Sequence, residues 1–314
     1  MLIWFVFVEA VVRFCFILAF LFIVSCSEGF FSDHQKREGP RIPEILEIKK
    51  YGKDLECVPL PKPEKGKLVL GEGCFAGCVR AEKTLHISGR GAEKTMIVCN
   101  DEEKEAVVEA AAETELILED VSVSGKVRCV FAENGSRITI KNSVLSHCVK
   151  GGVSVCSDEA GCRADLTVTG SFIGDIEEDA SGISYGISFG NGDLNISASR
   201  IGGVNSFGVA VWGGTGNLNR INMENSEISG VYGGLRSYEG HGFYAENAAD
   251  IVIRKSSISD TASSFIFLTS ESDEMDLKLI DFTAVNMLET SEEQRVMVLD
   301  GRIRVFFERV SVLP

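Results

Sequence analysis

Four side chains have the types and spacing for acid–base chemistry: His241, Arg236, Glu239 and Asp193. An imidazole and two carboxylates can pass protons, and a guanidinium can hold an oxyanion, if all four reach one substrate bond. Interleaved with them are Tyr185, Trp212, Tyr232, Tyr238 and Tyr244, on segments with long Gly-rich turns. Rings at such turns suit stacking on sugars or on a protein partner, and the same rings can also plug a core. "GISYG" at 182–186 and "GISFG" at 186–190 match G-x-S-x-G. A nucleophile elbow needs a strand, a strained turn and a helix, with Asp and His following. No helical pattern follows here, so these read as small residues at a turn. The acidic runs "DIEED" (Asp175 to Asp179) and "ESDEMD" (Glu271 to Asp276) could hold calcium or lie as solvated turns.

The elements that must position these groups are repeats. "LILEDVSVSG" from Leu116 is followed by "ITIKNSVLSH" from Ile138, "LTVTGSFIGD" from Leu166 and "LNISASRIGG" from Leu194. "INMENSEISG" from Ile221, "IVIRKSSISD" from Ile251, "LKLIDFTAVN" from Leu277 and "IRVFFERVSV" from Ile303 complete the series. Starts are 22 to 30 residues apart, the period of a stacked architecture. The first, third and eighth positions are apolar in every copy, and period-2 alternation turns the first and third inward. The sixth position is Ser143, Ser171, Ser199, Ser226 and Ser256 in five consecutive copies. A stack of identical turns explains a repeated hydroxyl, because each can bond its neighbour or the turn backbone.

Between copies lies a second strand signal, "VRCVF" at 127–131, "GVSVC" at 152–156, "GISFG" at 186–190, "GVAVW" at 208–212 and "GFYAE" at 242–246. Each period thus holds at least two short strands joined by Gly, Ser and Asn turns. The absence of a periodic helix between them argues against βαβ units. "NDEEKEAVVEAAAE" at 100–113 has helix character, with Asn100 as a cap and acids in the first turn. Yet Val107 and Val108 fall where the interposed strand belongs, and both assignments stand.

"TLHISGRGAEKTMIV" at 84–98 and the L-x-I-x-N-S-x-I-x-G rungs resemble the right-handed parallel β-helix of the pectin-lyase-like superfamily, over roughly residues 67–312. That resemblance implies an all-β solenoid of about 9–10 rungs, and it leaves activity open, because a fold hosts many functions. "GHG" at 240–242 and "NGD" at 191–193 resemble fragments of the polygalacturonase motifs. The paired Asp-Asp of that family is missing between them, and no R-x-K follows His241.

"VRFCFILAFLFIVSC" joins a basic residue to an apolar run that ends at Ser25 and Cys26. This is a secretory pattern, and "IVSC" resembles the lipobox of bacterial lipoproteins, which implies a diacylglyceryl group on the Cys26 sulfur. A plain signal peptide or a membrane anchor over 1–25 is the alternative. No positive charge lies in the first eleven residues, so a true start at Val12 would give a more compact signal. The expected organisation is signal 1–25, tether 26–43, Cys-rich N-terminal cap and first coil 44–84, and β-helix 85–314.

Beyond Cys26 the cysteines are Cys57, Cys74, Cys78, Cys99, Cys129, Cys148, Cys156 and Cys162. An even number in an exported chain favours disulfides, with Cys156 and Cys162 as a local pair and the remaining connectivity open. Zinc held by Cys57, Cys74, Cys78 and Cys99 is the rival, without a tight C-x2-C pairing to support it. The net charge of −15 disfavours nucleic acid, anionic lipid and unbridged polyuronates. The expectation is therefore a bacterial envelope protein, lipid-anchored and non-catalytic, binding a glycan or envelope protein across the turns of 185–244. The alternative is a polysaccharide lyase or glycoside hydrolase using His241, Arg236, Glu239 and Asp193. No cofactor is expected beyond that calcium. The last rung, "IRVFFERVSVLP", lacks a polar cap, which predicts end-to-end self-association or a partner over residues 303–314.

Overall fold

A computed structural model describes residues 56–156, 162–213, 219–233, 240–247, 250–287 and 295–313. Signal, tether and Cys26 lie outside the described residues, as do Arg236, Tyr238 and Glu239. The described chain is a right-handed parallel β-helix with no helix among its residues. Each coil has three strands, one more than the minimum the sequence required. Ala106–Ala110, Glu115–Glu119 and Ser122–Gly125 make one coil, and Tyr185–Phe189, Asp193–Ser197 and Arg200–Val204 another. Every strand pairs in parallel with its counterpart one coil away, as Leu166 with Leu194 and Leu194 with Ile221. We call the faces first, second and third in that order. Segment 100–113 resolves as the first-face strand Ala106–Ala110, paired to Val79–Ala81 and Arg128–Ala132. Stacked neighbours decide against the local helix preference, because Val107 and Val108 are fully buried there.

The extra strand arises because each ten-residue copy bends in its middle. Its fifth residue takes the left-handed conformation, with φ of 56° at Asp120, 46° at Asn142, 58° at Gly170, 47° at Ala198, 49° at Asn225 and 47° at Lys255. Asp, Asn and Gly tolerate that region; Ala and Lys do so at a cost. The bend turns the eighth residue back into the core, so Ile173, Ile201, Ile228 and Ile258 are fully buried. An aligned column of this kind stabilises by about 1.5–3 kcal/mol per aliphatic side chain.

The sixth-position serines fasten one bend to the next. Ser143 N–H donates to Ser171 Oγ at 3.1 Å, Ser171 to Ser199 at 3.2 Å, Ser199 to Ser226 at 3.2 Å and Ser226 to Ser256 at 3.1 Å. Each hydroxyl in turn donates to the carbonyl two residues before it, as Ser199 Oγ to Ser197 O at 2.7 Å. Both roles foreseen for the hydroxyl are filled at once.

The last copy sits two residues later than its pattern suggests. Val305, not Ile303, pairs with Leu277, and Val312, not Val310, pairs with Ala284. The bend is fixed by Arg309, at φ 52°, and a two-residue slip preserves the alternation. Ser264–Ile280 and Arg295–Glu308 run through both first and second faces, with a register shift between Ser270 and Met275. On this coil Phe306, Phe307, Val312 and Leu313 are exposed.

The cysteines pair as Cys57–Cys74, Cys78–Cys99, Cys129–Cys148 and Cys156–Cys162. The four candidate zinc ligands are thus consumed as two disulfides. Four disulfides belong to a protein of an oxidising, non-cytoplasmic compartment.

Candidate binding groove

The first face gathers part of the aromatic set. Trp212 and Tyr244 lie 4.9 Å apart between ring centroids, and Phe207 joins them at 5.8 and 5.2 Å. Phe267 stacks on Tyr244 at 5.5 Å. Trp212 Nε1 donates to Ser188 Oγ at 3.1 Å, and Tyr244 Oη to Glu246 Oε2 at 3.3 Å. These rings spend their faces on one another, as a packed stack does. Tyr185 heads the same outward column, paired with Phe207. His241 lies inside the stack, 3% exposed, with Nδ1 2.6 Å from Ser264 Oγ and Phe267 at 4.7 Å.

Asp193 stands elsewhere, at the start of a second-face strand. Arg220 clamps it through both carboxylate oxygens, at 3.1 and 2.6 Å. Arg304 holds Asp276 in the same bidentate manner, at 2.7 and 3.2 Å. A cavity of about 350 Å³ lies along this face, lined by Asp193, Arg220, Asp250 and Asp276 with Asn195 and Asn222. His241 and Asp193 therefore occupy different faces with different partners. Among the described residues no group of three or more His, Cys, Asp or Glu is arranged to hold a metal. Within the first acidic run, Asp179 is engaged by its own turn, accepting from Ser181 N–H at 2.8 Å and Ile183 N–H at 3.3 Å.

The third face carries a larger cavity, about 540 Å³. Its floor is made by the ends of consecutive copies. The tenth position is left-handed in five consecutive copies, at His147, Asp175, Gly203, Gly230 and Asp260. Two glycines in the middle of that column leave bare backbone between two carboxylates. A Cβ on Gly203 would lie 2.5 Å from Asp175 Oδ1, so the Asp175 carboxylate leans over that glycine. A Cβ on Gly230 would lie 3.4 Å from Tyr232 Oη, which places the phenol over the other. Tyr232 is 50% exposed. Beside the floor, Gly174 lets the Phe172 ring lie against the sheet, since a Cβ there would meet Phe172 Cζ at 2.7 Å. Arg200 completes the wall, with Nε 3.3 Å from Ser229 Oγ and 3.8 Å from Glu227 Oε1.

Of the aromatic residues singled out in the sequence, Tyr232 belongs to this groove; Trp212, Tyr244 and Tyr185 belong to the first face. Phe172, Arg200 and Asp260 were not singled out in the sequence, and Asp175 was singled out only as the start of an acidic run that could hold calcium. For Asp175 and Asp260 the signal was the variation at the tenth position of the aligned copies, where Gly203 and Gly230 interrupt a run of side chains; Phe172 and Arg200 share the seventh position.

No family model matches the chain, and no curated protein matches it. Among solved structures it is similar to an alginate lyase from Paenibacillus sp. str. FPU-7, at 15% identity and a TM-score of 0.40, over 78% of this chain and 94% of that one. It is similar to the A-module of mannuronan C-5 epimerase AlgE4 from Azotobacter vinelandii, at 13% and 0.38, over 79% and 88%. A third is tailspike protein 2 of Escherichia coli O157:H7 bacteriophage CAB120, at 11% and 0.39, over 78% of this chain. This chain spans 38% of the tailspike's length. These likenesses assign it neither substrate nor activity.

Proposed function

We propose that this protein binds a glycan in the third-face groove without turning it over. The observation that carries the reading is the half-exposed Tyr232 ring set beside the bare backbone of Gly203 and Gly230. A sugar ring needs a flat apolar face to stack on and polar groups at its rim. Tyr232 and Phe172 supply the first, and Asp175, Asp260, Arg200 and Ser229 the second. Asp175 and Asp260 are three coils apart, so at roughly 4.8 Å per coil their backbones are separated by about 14 Å. Paired glycosidase carboxylates stand about 5–9.5 Å apart, which favours binding over hydrolysis. The same proposal places the protein on a bacterial envelope through a lipid on Cys26, supported by "IVSC". Mass spectrometry of the mature N-terminus tests that part, and an unmodified or different terminus refutes it.

A glycan array on the disulfide-intact protein tests the groove, followed on each hit by reducing-sugar and unsaturated-product assays with and without calcium. Tyr232→Ala should weaken binding by about five-fold or more, while Trp212→Ala on the first face should not. Turnover of any hit, or binding that depends on Trp212 and not Tyr232, overturns the reading.

A further inference from the structure

The charges of the groove favour one class of sugar. Its lining holds two carboxylates, Asp175 and Asp260, against one guanidinium, Arg200. Arg200 already faces Glu227 at 3.8 Å and Ser229 Oγ at 3.3 Å. Asp260 Oδ2 accepts the Ser259 hydroxyl at 3.0 Å, and among the described residues neither Asp175 nor Asp260 has a cationic partner. Both flank the glycine floor on which Tyr232 lies, and an aromatic face beside carboxylates attracts an ammonium group. An anionic sugar would meet two uncompensated carboxylates in a chain of net charge −15.

We infer that the groove selects amino sugars whose nitrogen is a free, protonated amine, over N-acetylated and uronic counterparts. This rests on the glycan reading above. The recognition it adds is a charge contact from the sugar ammonium to Asp175 or Asp260, while Tyr232 supplies the stacking common to all sugars.

Titration calorimetry at pH 6 with three probes of equal length tests it: a β-1,4-linked glucosamine hexamer, its fully N-acetylated form and a galacturonate hexamer. Solvent-accessible charge contacts to one or both carboxylates predict an amine preference of about 2- to 30-fold over the acetylated hexamer. Asp175→Asn and Asp260→Asn should each reduce that preference, weakening the amine hexamer more than the acetylated one. Raising salt from 20 to 500 mM should shrink it as well, because exposed charges are screened. Tyr232→Ala should weaken both hexosamine probes alike. Equal or tighter binding of the acetylated or galacturonate hexamer overturns amine selection. So does a preference that both Asn variants leave intact. Tyr232-dependent binding without amine preference removes this inference and keeps the glycan reading. No binding of these probes or of any array glycan removes both.

Discussion

Replacing Ser199 by Ala isolates what the serine column contributes. Ser199 is fully buried. Its hydroxyl accepts the Ser171 N–H at 3.2 Å and donates to Ser197 O at 2.7 Å. The two partners fare differently once the hydroxyl is gone. Ser197 O keeps the Gly170 N–H at 3.1 Å, so that carbonyl stays satisfied. The Ser171 N–H, on a residue 4% exposed, is left facing a methyl group. An orphaned buried donor costs about 1–3 kcal/mol. Urea denaturation should show that loss as a lower midpoint at constant slope. Because coils of a solenoid can unfold separately, amide exchange at Ser171 is the sharper readout and should accelerate. Ser143→Ala should cost less, since the contact it accepts, from Val121 N–H, is 3.4 Å long. Ser311→Ala, on an exposed residue, should stay within about 0.5 kcal/mol. If Ser199→Ala costs no more than Ser311→Ala, the hydroxyls are not carrying backbone donors and the column is only a small-residue fit.

Ala198 holds φ 47° where two other copies have Asn142 and Asn225; Ala198→Asn should stabilise by a few tenths to about 1 kcal/mol, read as a raised Tm. Burial alone would push the Asp179 carboxyl up, but hydrogen bonds from Ser181 and Ile183, with the charge of Lys150, hold it below the usual carboxylate range. A lowered folded-state value contributes stability above the unfolded value of about 3.9, lost as pH falls through the folded one. Asp179→Asn should therefore flatten the acid limb of a stability–pH curve below about pH 4, and an unchanged limb refutes the assignment. Reducing the disulfides should loosen the coils up to Cys162 in hydrogen exchange while the strands of residues 219–233 and 250–287 keep their protection. Loss of Cys129–Cys148, 19 residues apart, should alone cost about 3 kcal/mol.

The repeat was legible because a core column must be apolar in every coil, and eight copies make the column visible. The serines were legible for the same reason. The bend inside each copy was less so: the odd five-residue step from Met223 to Ile228 breaks the apolar rhythm, but the left-handed residue can be Ala198 or Lys255 as well as Asn225. The period-2 alternation hid the slip that puts Val305 in place of Ile303. Aromatic residues drew attention to 185–244, but type and spacing do not reveal which face of a three-sided coil a ring takes. Trp212 and Tyr232, twenty positions apart, end on different faces.

The two glycines of the groove can be assigned to fold or to function by experiment. A left-handed backbone alone does not demand them, because His147, Asp175 and Asp260 adopt it in the same column with φ of 54°, 52° and 51°. Space does not demand both either. A Cβ on Gly203 would collide with the Asp175 carboxylate at 2.5 Å, whereas one on Gly230 would meet its nearest neighbours at 3.4 Å, within ordinary contact. Gly230→Asn should therefore fold with a stability change of about 1 kcal/mol or less, since Asn tolerates this region. Its side chain would nevertheless project into the cavity beside Tyr232 and occupy the floor. The expected result is a near-native Tm with glycan binding lost. A strongly lowered Tm would mean that Gly230 serves the coil; unchanged binding at native stability would mean that the floor is not where the ligand lies.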